Sequence, residues 1–135
     1  MKTTLVICSH GLFAAGLLEA AQMIAGGMDD VEVFSLVPGV SGAEFRTEMS
    51  ARFARLREKG TERFLCLADL YGGTPCTTCI SLMREYPVTV VSGLNLAMLI
   101  ETYFSLHSVA HDDLPELAVR TLQESARVIR LSDFE

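Results

Sequence analysis

The feature that most constrains the fold is a change of hydrophobic period, from strand-like to helix-like, that repeats four times along the chain. Short apolar runs rich in β-branched residues predict buried strands over residues 3–8, 31–37, 64–68 and 87–91. Strands that alternate with helices form a parallel sheet, because each right-handed crossover packs its helix on a face of the sheet. We therefore predict an α/β fold, an open and mostly parallel four-stranded sheet covered by helices on both faces.

Capping and stop signals in the sequence predict helices between these strands. Helices are predicted from Phe13 to the glycine pair at 26–27, after the capping box of Ser41 and Glu44, after Thr74, after Asn95 and after Asp113. The alternating tail, residues 128–134, is predicted as a final strand. With 135 residues and no linker or repeat, residues 1–135 are expected to form a single domain.

Composition limits the partners of the chain. Lys and Arg number 11 against 17 Asp and Glu, and the net charge of −6 gives no attraction to nucleic acid or to an anionic membrane. The apolar runs are shorter than the ~18 residues of a membrane span, and no signal-peptide pattern opens the chain. We expect a cytoplasmic protein with four reduced cysteines and no nucleic-acid partner.

A histidine and an aspartate follow two of the predicted strands. His10 comes after the first strand and Asp69 after the third. Functional groups in open parallel sheets collect at the carboxyl ends of the strands, and a strand order of 2-1-3-4 makes these two strands neighbours. A carboxylate bonded to one ring nitrogen leaves the lone pair of the other nitrogen free for attack. We predict that His10 is a nucleophile, and that Asp69 orients the ring and stabilises the positive charge that develops on it.

A glycine pair after Asp69 predicts an anion site beside the histidine. Gly72 and Gly73 allow the backbone to approach a ligand, with Thr74 as the predicted N-cap of a helix and Pro75 at its first position. The free amides of such a turn, aided by the helix dipole, bind anions. An imidazole nucleophile, an orienting carboxylate and an anion site together suit phosphoryl transfer.

Each part of this pattern also has an ordinary structural explanation. A single histidine near a strand end is often a satisfied polar residue, an aspartate there is often a turn former, and a glycine pair is often only a turn. The functional interpretation depends on the combination, in which every part follows the carboxyl end of a strand.

The cysteines offer a competing interpretation. Cys76 and Cys79 form a P-C-x-x-C motif, which occurs in zinc deaminases and, as C-x-x-C, in redox proteins. The deaminase motif needs a glutamate two residues after its histidine, where this chain has Leu12. A metal site built from Cys8, His10 and the cysteine pair has no recognised spacing. We interpret Cys76 and Cys79 as small, semi-buried helix residues.

Two other histidines are weaker candidates. His107 and His111 are four residues apart, a spacing that ligates metals on a helix. Pro115 and the paired aspartates beside them favour a loop, so we interpret both as solvated loop histidines and predict no metal ligands in this chain.

Three segments together resemble one protein family. VICSHGLFAAGLLEAAQMIAG, LADLYGGTPCTTC and SGLNLAMLIETY, in this order and spacing, are similar to the IIA component of the mannose family of the bacterial phosphoenolpyruvate-dependent sugar phosphotransferase system. The resemblance covers essentially the whole chain and implies that His10 accepts a phosphoryl group while Asp69 orients it. The residues that match the family's glycines and loop hydroxyl, and are expected to bind phosphate, are Gly11, Gly72, Gly73 and Thr74.

The resemblance also implies partners. Members of the family receive the phosphoryl group from HPr and pass it to a IIB protein or domain, which phosphorylates a hexose-type sugar entering through the membrane subunits IIC and IID. Members are homodimers whose C-terminal strand adds antiparallel to the partner's sheet, as residues 128–134 would do. No metal or organic cofactor is used on the IIA component. The C-x-x-C motif is not a family feature.

Two further functions remain open. A related IIA-like subunit of dihydroxyacetone kinase keeps the histidine but passes phosphate to a nucleotide on a kinase partner. The loop of residues 70–75 and the SGLNLAML segment favour sugar transport over that role. A regulator with the same fold would report phosphorylation state to another protein. Retention of both His10 and Asp69 argues against an inactive copy but leaves such a sensor possible.

Overall fold

The four apolar runs form the strands of a parallel sheet. The computed structural model describes residues 2–135. The strands are β1 (Thr3–His10), β2 (Glu32–Leu36), β3 (Arg63–Ala68) and β4 (Val88–Ser92). The sheet order is β2-β1-β3-β4 and all three pairings are parallel, so the predicted order and the α/β class are confirmed.

Five α-helices cover both faces of the sheet. They are α1 (Phe13–Ala25), α2 (Gly42–Glu58), α3 (Thr74–Ser81), α4 (Leu96–Ser105) and α5 (Leu114–Ser125). None of the helices within residues 2–135 has the length and apolar character needed to cross a membrane.

Strand alternation divides the core between the two faces. Successive strand residues point to opposite sides of a sheet. On β1, Leu5 and Ile7 pack with α1, α4 and α5, whereas Val6 and Cys8 pack with α2 and α3. The same alternation assigns His10 to the α3 side.

Two of the predicted caps are present. Ser41 Oγ accepts a hydrogen bond from the Glu44 amide at 3.1 Å, and Asn95 Oδ1 accepts one from the Met98 amide at 2.8 Å. Asp113 makes no capping bond with its side chain, because its backbone belongs to a short 3-10 turn, His111–Asp113, that leads into α5.

Several element ends differ from the prediction by one residue, and the largest differences are in β1, α3 and the tail. β1 extends to His10, because its pairing with β2 continues until His10 lies opposite Leu36. α3 ends at Ser81 and is followed by a 3-10 turn, Leu82–Arg84, ahead of Pro87. The tail is not a strand in the single chain. It is exposed and ends in a 3-10 turn over Leu131–Phe134, because it has no strand beside it to accept its hydrogen bonds.

Phe53 is at the centre of the core on the α2 side of the sheet. Its ring stacks on that of Phe64, with 4.2 Å between the ring centroids. It meets the rings of Phe34 and Tyr86 edge-on, with centroid distances of 6.1 and 5.7 Å. Phe53→Ala removes these contacts and leaves a cavity, so we expect the unfolding free energy in urea titrations to fall by about 3–5 kcal/mol. The control Phe104→Ala, at a half-exposed ring, is expected to cost less than about 1.5 kcal/mol. Similar losses in both variants would contradict this description of the core.

Candidate functional site

His10 and Asp69 meet at the carboxyl end of the sheet. β1 and β3 are parallel neighbours with Cys8 opposite Ala68, so the residues that follow both strands lie at the same, carboxyl end of the sheet. His10 Nδ1 lies 2.8 Å from Asp69 Oδ2, and the backbone N–H of His10 donates to the same oxygen at 2.9 Å. The two side chains are in contact, as their positions after neighbouring strands predict.

This hydrogen bond selects one form of the imidazole. An ionised carboxylate only accepts hydrogen bonds, so Nδ1 carries the proton in this contact. In the neutral ring the lone pair then belongs to Nε2. The His10 side chain is 50% exposed while that of Asp69 is 15% exposed. The nitrogen that carries the lone pair therefore belongs to an accessible ring, and the Asp69 carboxylate is more shielded from solvent than that ring.

The Asp69 carboxylate is committed to His10. Within residues 2–135, both hydrogen bonds to the carboxylate come from His10 and end on Oδ2, while Oδ1 is buried and has no partner. A carboxylate with few donors in a shielded position keeps its negative charge poorly screened. That charge is suited to stabilising a positive charge on the imidazole.

Gly11 turns the chain immediately after His10. Its φ of +56° lies in the left-handed region, which glycine enters without the penalty of a Cβ. Its N–H donates to the Leu36 carbonyl at 2.8 Å and ties the end of β1 to the end of β2. The amide of Gly11 is therefore already used inside the fold.

The loop after Asp69 supplies free backbone donors. Gly72 has φ +84°, and its amide and that of Thr74 donate to no acceptor in the described part of the chain. The Gly73 amide makes a 3.3 Å bond to the Leu70 carbonyl. Amides of this kind at the start of a helix form an anion-binding surface.

The predicted N-cap of α3 is wrong by one residue. Gly73, with φ −75° and ψ 163°, is the N-cap, and Thr74 is already the first helical residue. No side chain caps this helix end. Pro75 therefore lies one position further into the first turn, where its missing N–H still costs no intrahelical bond.

Exposed apolar side chains flank the histidine and the aspartate. Leu12 and Phe13 follow His10, and Leu70 and Tyr71 follow Asp69, with exposures between 50% and 81%. We call these four residues the apolar rim. Phe13 is the first residue of α1, and its ring is half exposed. Apolar groups concentrated around a polar site are typical of surfaces that bind other macromolecules.

Ser9 is a positioning residue that the sequence analysis missed. Its buried Oγ accepts a hydrogen bond from the Ala14 amide at 2.8 Å and so caps α1, whose formal N-cap Leu12 has no polar side chain. The bond closes the turn that carries His10. The available sequence signal was a hydroxyl residue a few positions before a helix that otherwise lacks a capping residue.

All four cysteines are buried and free in one core cluster, in which Cys76 and Cys79 lie on α3 while Cys8 and Cys66 lie on β1 and β3. Cys8 Sγ and Cys79 Sγ are 3.5 Å apart. The hydrogen bond with Cys79, together with burial, raises the pKa of the Cys8 thiol. Burial of this kind is typical of structural cysteines and unlike reactive ones. In residues 2–135 no group of three or more His, Cys, Asp or Glu side chains is arranged to hold a metal ion.

His107 and His111 lie at the opposite end of the sheet from His10. His107 is exposed, as predicted for a loop histidine. His111 is half-buried, and its Nδ1 lies 2.9 Å from Thr3 Oγ1 at the start of β1, so the expectation of a fully solvated side chain is wrong. Burial, and then the nearby Arg63 charge, lower the pKa of His111.

Comparison with known sequences identifies the system to which this fold and site belong. A family model described as "PTS system fructose IIA component" (EIIA-man) matches residues 4–127. The mannose-specific EIIAB component of the phosphotransferase system (PTS) of Escherichia coli K12 is 30% identical over 138 residues, and the match covers 100% of this chain. The chain spans 42% of the length of that relative. The sorbose-specific EIIA component of Klebsiella pneumoniae is 26% identical over 81% of this chain and 78% of its own length.

Solved structures agree with the sequence matches. The mannose/sorbose-specific IIA subunit of Enterococcus faecalis is 35% identical, with a TM-score of 0.83 and 97% of both chains covered. The EIIA component of Streptococcus agalactiae is 30% identical, with a TM-score of 0.83 over 97% of this chain and 98% of its own. The molecule is thus a sugar phosphotransferase-system component. Within that system, the chain belongs to the mannose family of IIA components.

Proposed function

We propose that this chain, as a single IIA domain, is a phosphocarrier. His10 accepts a phosphoryl group from phospho-HPr and passes it to a IIB component, and this transfer is coupled to sugar uptake. Membership of the family makes the chain a sugar phosphotransfer component. The observation that most supports the role of His10 is its contact with Asp69, which leaves Nε2 as an accessible nucleophile.

The transfer needs little covalent chemistry from the protein. The Nε2 lone pair attacks the donor's phosphorus atom in line, an N–P bond forms, and the electron pair of the broken bond stays with the donor. The Nδ1 proton remains on the ring, and Asp69 Oδ2 stabilises the positive charge that the attack creates. In the second transfer the acceptor's nucleophile attacks the same phosphorus atom, and the electron pair of the N–P bond returns to Nε2.

Backbone donors beside the ring are suited to the phosphoryl oxygens. The amides of Gly72 and Thr74 point to no protein acceptor in the described chain, and Gly73 brings the backbone up to the ring. We assign the phosphate-binding role to these three residues and to Gly11. Gly11 contributes through the turn that it makes, because its own amide is bonded to Leu36.

The apolar rim is assigned to docking of the donor and the acceptor. A phosphoryl group that passes between two proteins needs an exposed nucleophile, and His10 is exposed among apolar side chains. The net charge of −6 favours partners with basic surfaces by accelerating their encounter with this chain. Such partners and the absence of a membrane-spanning helix in residues 2–135 are consistent with a cytoplasmic location.

The exposed tail supports the proposal of a homodimer. β4 is at the edge of the sheet, and the lining of a cavity of about 620 Å³ beside it combines apolar residues such as Ile80, Val90 and Val119 with the charged Glu116 and Arg120. Val128 and Ile129 in the tail are exposed and have no strand to pair with in their own chain. We assign β4 and this cavity to the tail of a second copy, which adds as an antiparallel strand.

The phosphocarrier role is tested by incubating the protein with labelled phosphoenolpyruvate, enzyme I and HPr. We expect an acid-labile adduct that His10→Ala abolishes and the matched histidine control His107→Ala retains. Asp69→Asn is expected to fold normally. It should slow labelling by about 10- to 100-fold, because the neutral side-chain amide of asparagine cannot stabilise a positively charged ring. Labelling of His10→Ala, or a normal rate for Asp69→Asn, would contradict the assigned roles.

The acceptor is identified in a second stage of the same assay. Candidate IIB proteins are added to the labelled chain, and loss of label from His10 to IIB is the expected result. Transfer only to a dihydroxyacetone kinase partner carrying nucleotide would favour that alternative. A stable adduct that neither partner discharges would favour a phosphorylation-state sensor.

The dimer is tested by changing the tail. Ile129→Asp introduces a charge into a strand that would pack against β4, so we expect the measured mass in sedimentation equilibrium to fall from dimer to monomer. Met23→Asp, at an exposed position in α1, is the control and should leave the mass unchanged. A monomeric unaltered protein would refute the exchanged strand.

A further inference from the structure

The imidazole of His10 occupies the space into which a side chain at Gly73 would project. A Cβ atom added to Gly73 would stand 2.7 Å from His10 Cε1 and 3.4 Å from Nε2. The first distance is far inside the contact distance of two carbon atoms. For the other glycines of residues 2–135, a Cβ would meet nothing nearer than 3.3 Å. The ring of His10 therefore fills the space that a side chain at position 73 would need.

The conformation of Gly73 does not require glycine. Its φ of −75° and ψ of 163° lie in the extended region that every L-residue can adopt. Gly11 and Gly72 differ in this respect, because their positive φ values of +56° and +84° favour glycine wherever their side chains would point. At Gly73 the reason for glycine is the volume occupied by His10.

One hydrogen bond and one vacant Cβ position define the setting of the imidazole. Asp69 Oδ2 holds Nδ1 at 2.8 Å, and the edge formed by Cε1 and Nε2 lies where a Cβ at position 73 would stand. The χ2 torsion of histidine is broad, so a group placed at that position would tilt the ring. With no side chain at Gly73, the ring keeps the tilt that the bond to Asp69 requires.

We propose that Gly73 is a positioning residue for phosphoryl transfer: its missing side chain leaves the space in which the His10 ring holds Nδ1 on Asp69 and Nε2 beside the start of α3. A methyl group at this position pushes the ring away, which lengthens the bond to Asp69 and moves the nucleophile out of line. The kinetic consequence rests on the proposed function, whereas the steric contact does not.

Gly73→Ala tests the proposal, because alanine fits the backbone and adds only the methyl group. We expect the Tm to fall by about 4 °C or more as the ring is displaced. The NMR signal of the His10 Nδ1 proton, shifted downfield by its bond to Asp69, should move upfield or disappear. The phosphoryl-transfer rate at saturating phospho-HPr should fall at least about tenfold, with less than about a threefold change in KM, because docking is untouched.

The same substitution in a His10→Ala background separates the ring contact from other effects. With the imidazole removed, Gly73→Ala is expected to change the Tm by less than about 2 °C, because the methyl group then has room. Gly16→Ala is the matched control, since this exposed helical glycine has nothing within 4 Å of its Cβ position. It should raise the Tm slightly through helix propensity and leave the NMR signal and the transfer rate unchanged.

Two results would overturn the proposal. The first is an equal fall in Tm with and without the His10 ring, which would assign the cost to the loop backbone. The second is an unchanged Nδ1 proton signal in Gly73→Ala. If the Tm coupling and the NMR change are observed but the unaltered protein accepts no phosphoryl group, the proposed function fails and the steric contact stands.

Discussion

Parallel hydrogen bonding between β1 and β3 joins two segments that are far apart in the chain and sets Cys8 opposite Ala68. Because both strands run in the same direction, the residues that follow them lie at the same end of the sheet. Asp69 Oδ2 therefore accepts hydrogen bonds from both the backbone N–H and the ring of His10. If the neighbouring strand were antiparallel, the aspartate would lie at the opposite end of the sheet. The contact between the two side chains is therefore a direct consequence of sheet topology.

The alternation of side chains along β1 gives neighbouring residues different tasks. Ser9 faces α1 and caps it through the Ala14 amide, whereas His10 faces α3 and its ring fills the side-chain space of Gly73. A helix cap of this kind contributes about 1 kcal/mol, so the turn that follows His10 is itself held by a buried hydrogen bond. One strand end thus anchors a helix on one face of the sheet and presents the imidazole on the other.

The site is open rather than enclosed. Pockets for small molecules are concave and bury most of the ligand. The His10 ring, in contrast, is half exposed, and the four residues of the apolar rim, which directly follow His10 and Asp69 in the chain, are exposed as well. Such a surface suits exchange between two proteins, in which the docked partner excludes water from the reacting atoms. Under the proposed function, this chain orients the nucleophile and the partner completes the site.

Hydrophobic period determined the α/β class and the positions of His10 and Asp69 after two of the strands, because the period of each element is a local property. The strand order 2-1-3-4, which makes those two strands neighbours, does not follow from the period; it is an order found in other open parallel sheets, and the structure confirms it. Only the tertiary structure decided that the His10 ring fills the side-chain space of Gly73, that Phe13 is exposed and that residues 128–134 form no strand in the single chain. Each of these outcomes depends on which groups from distant segments occupy the neighbouring space. No local period carries that information.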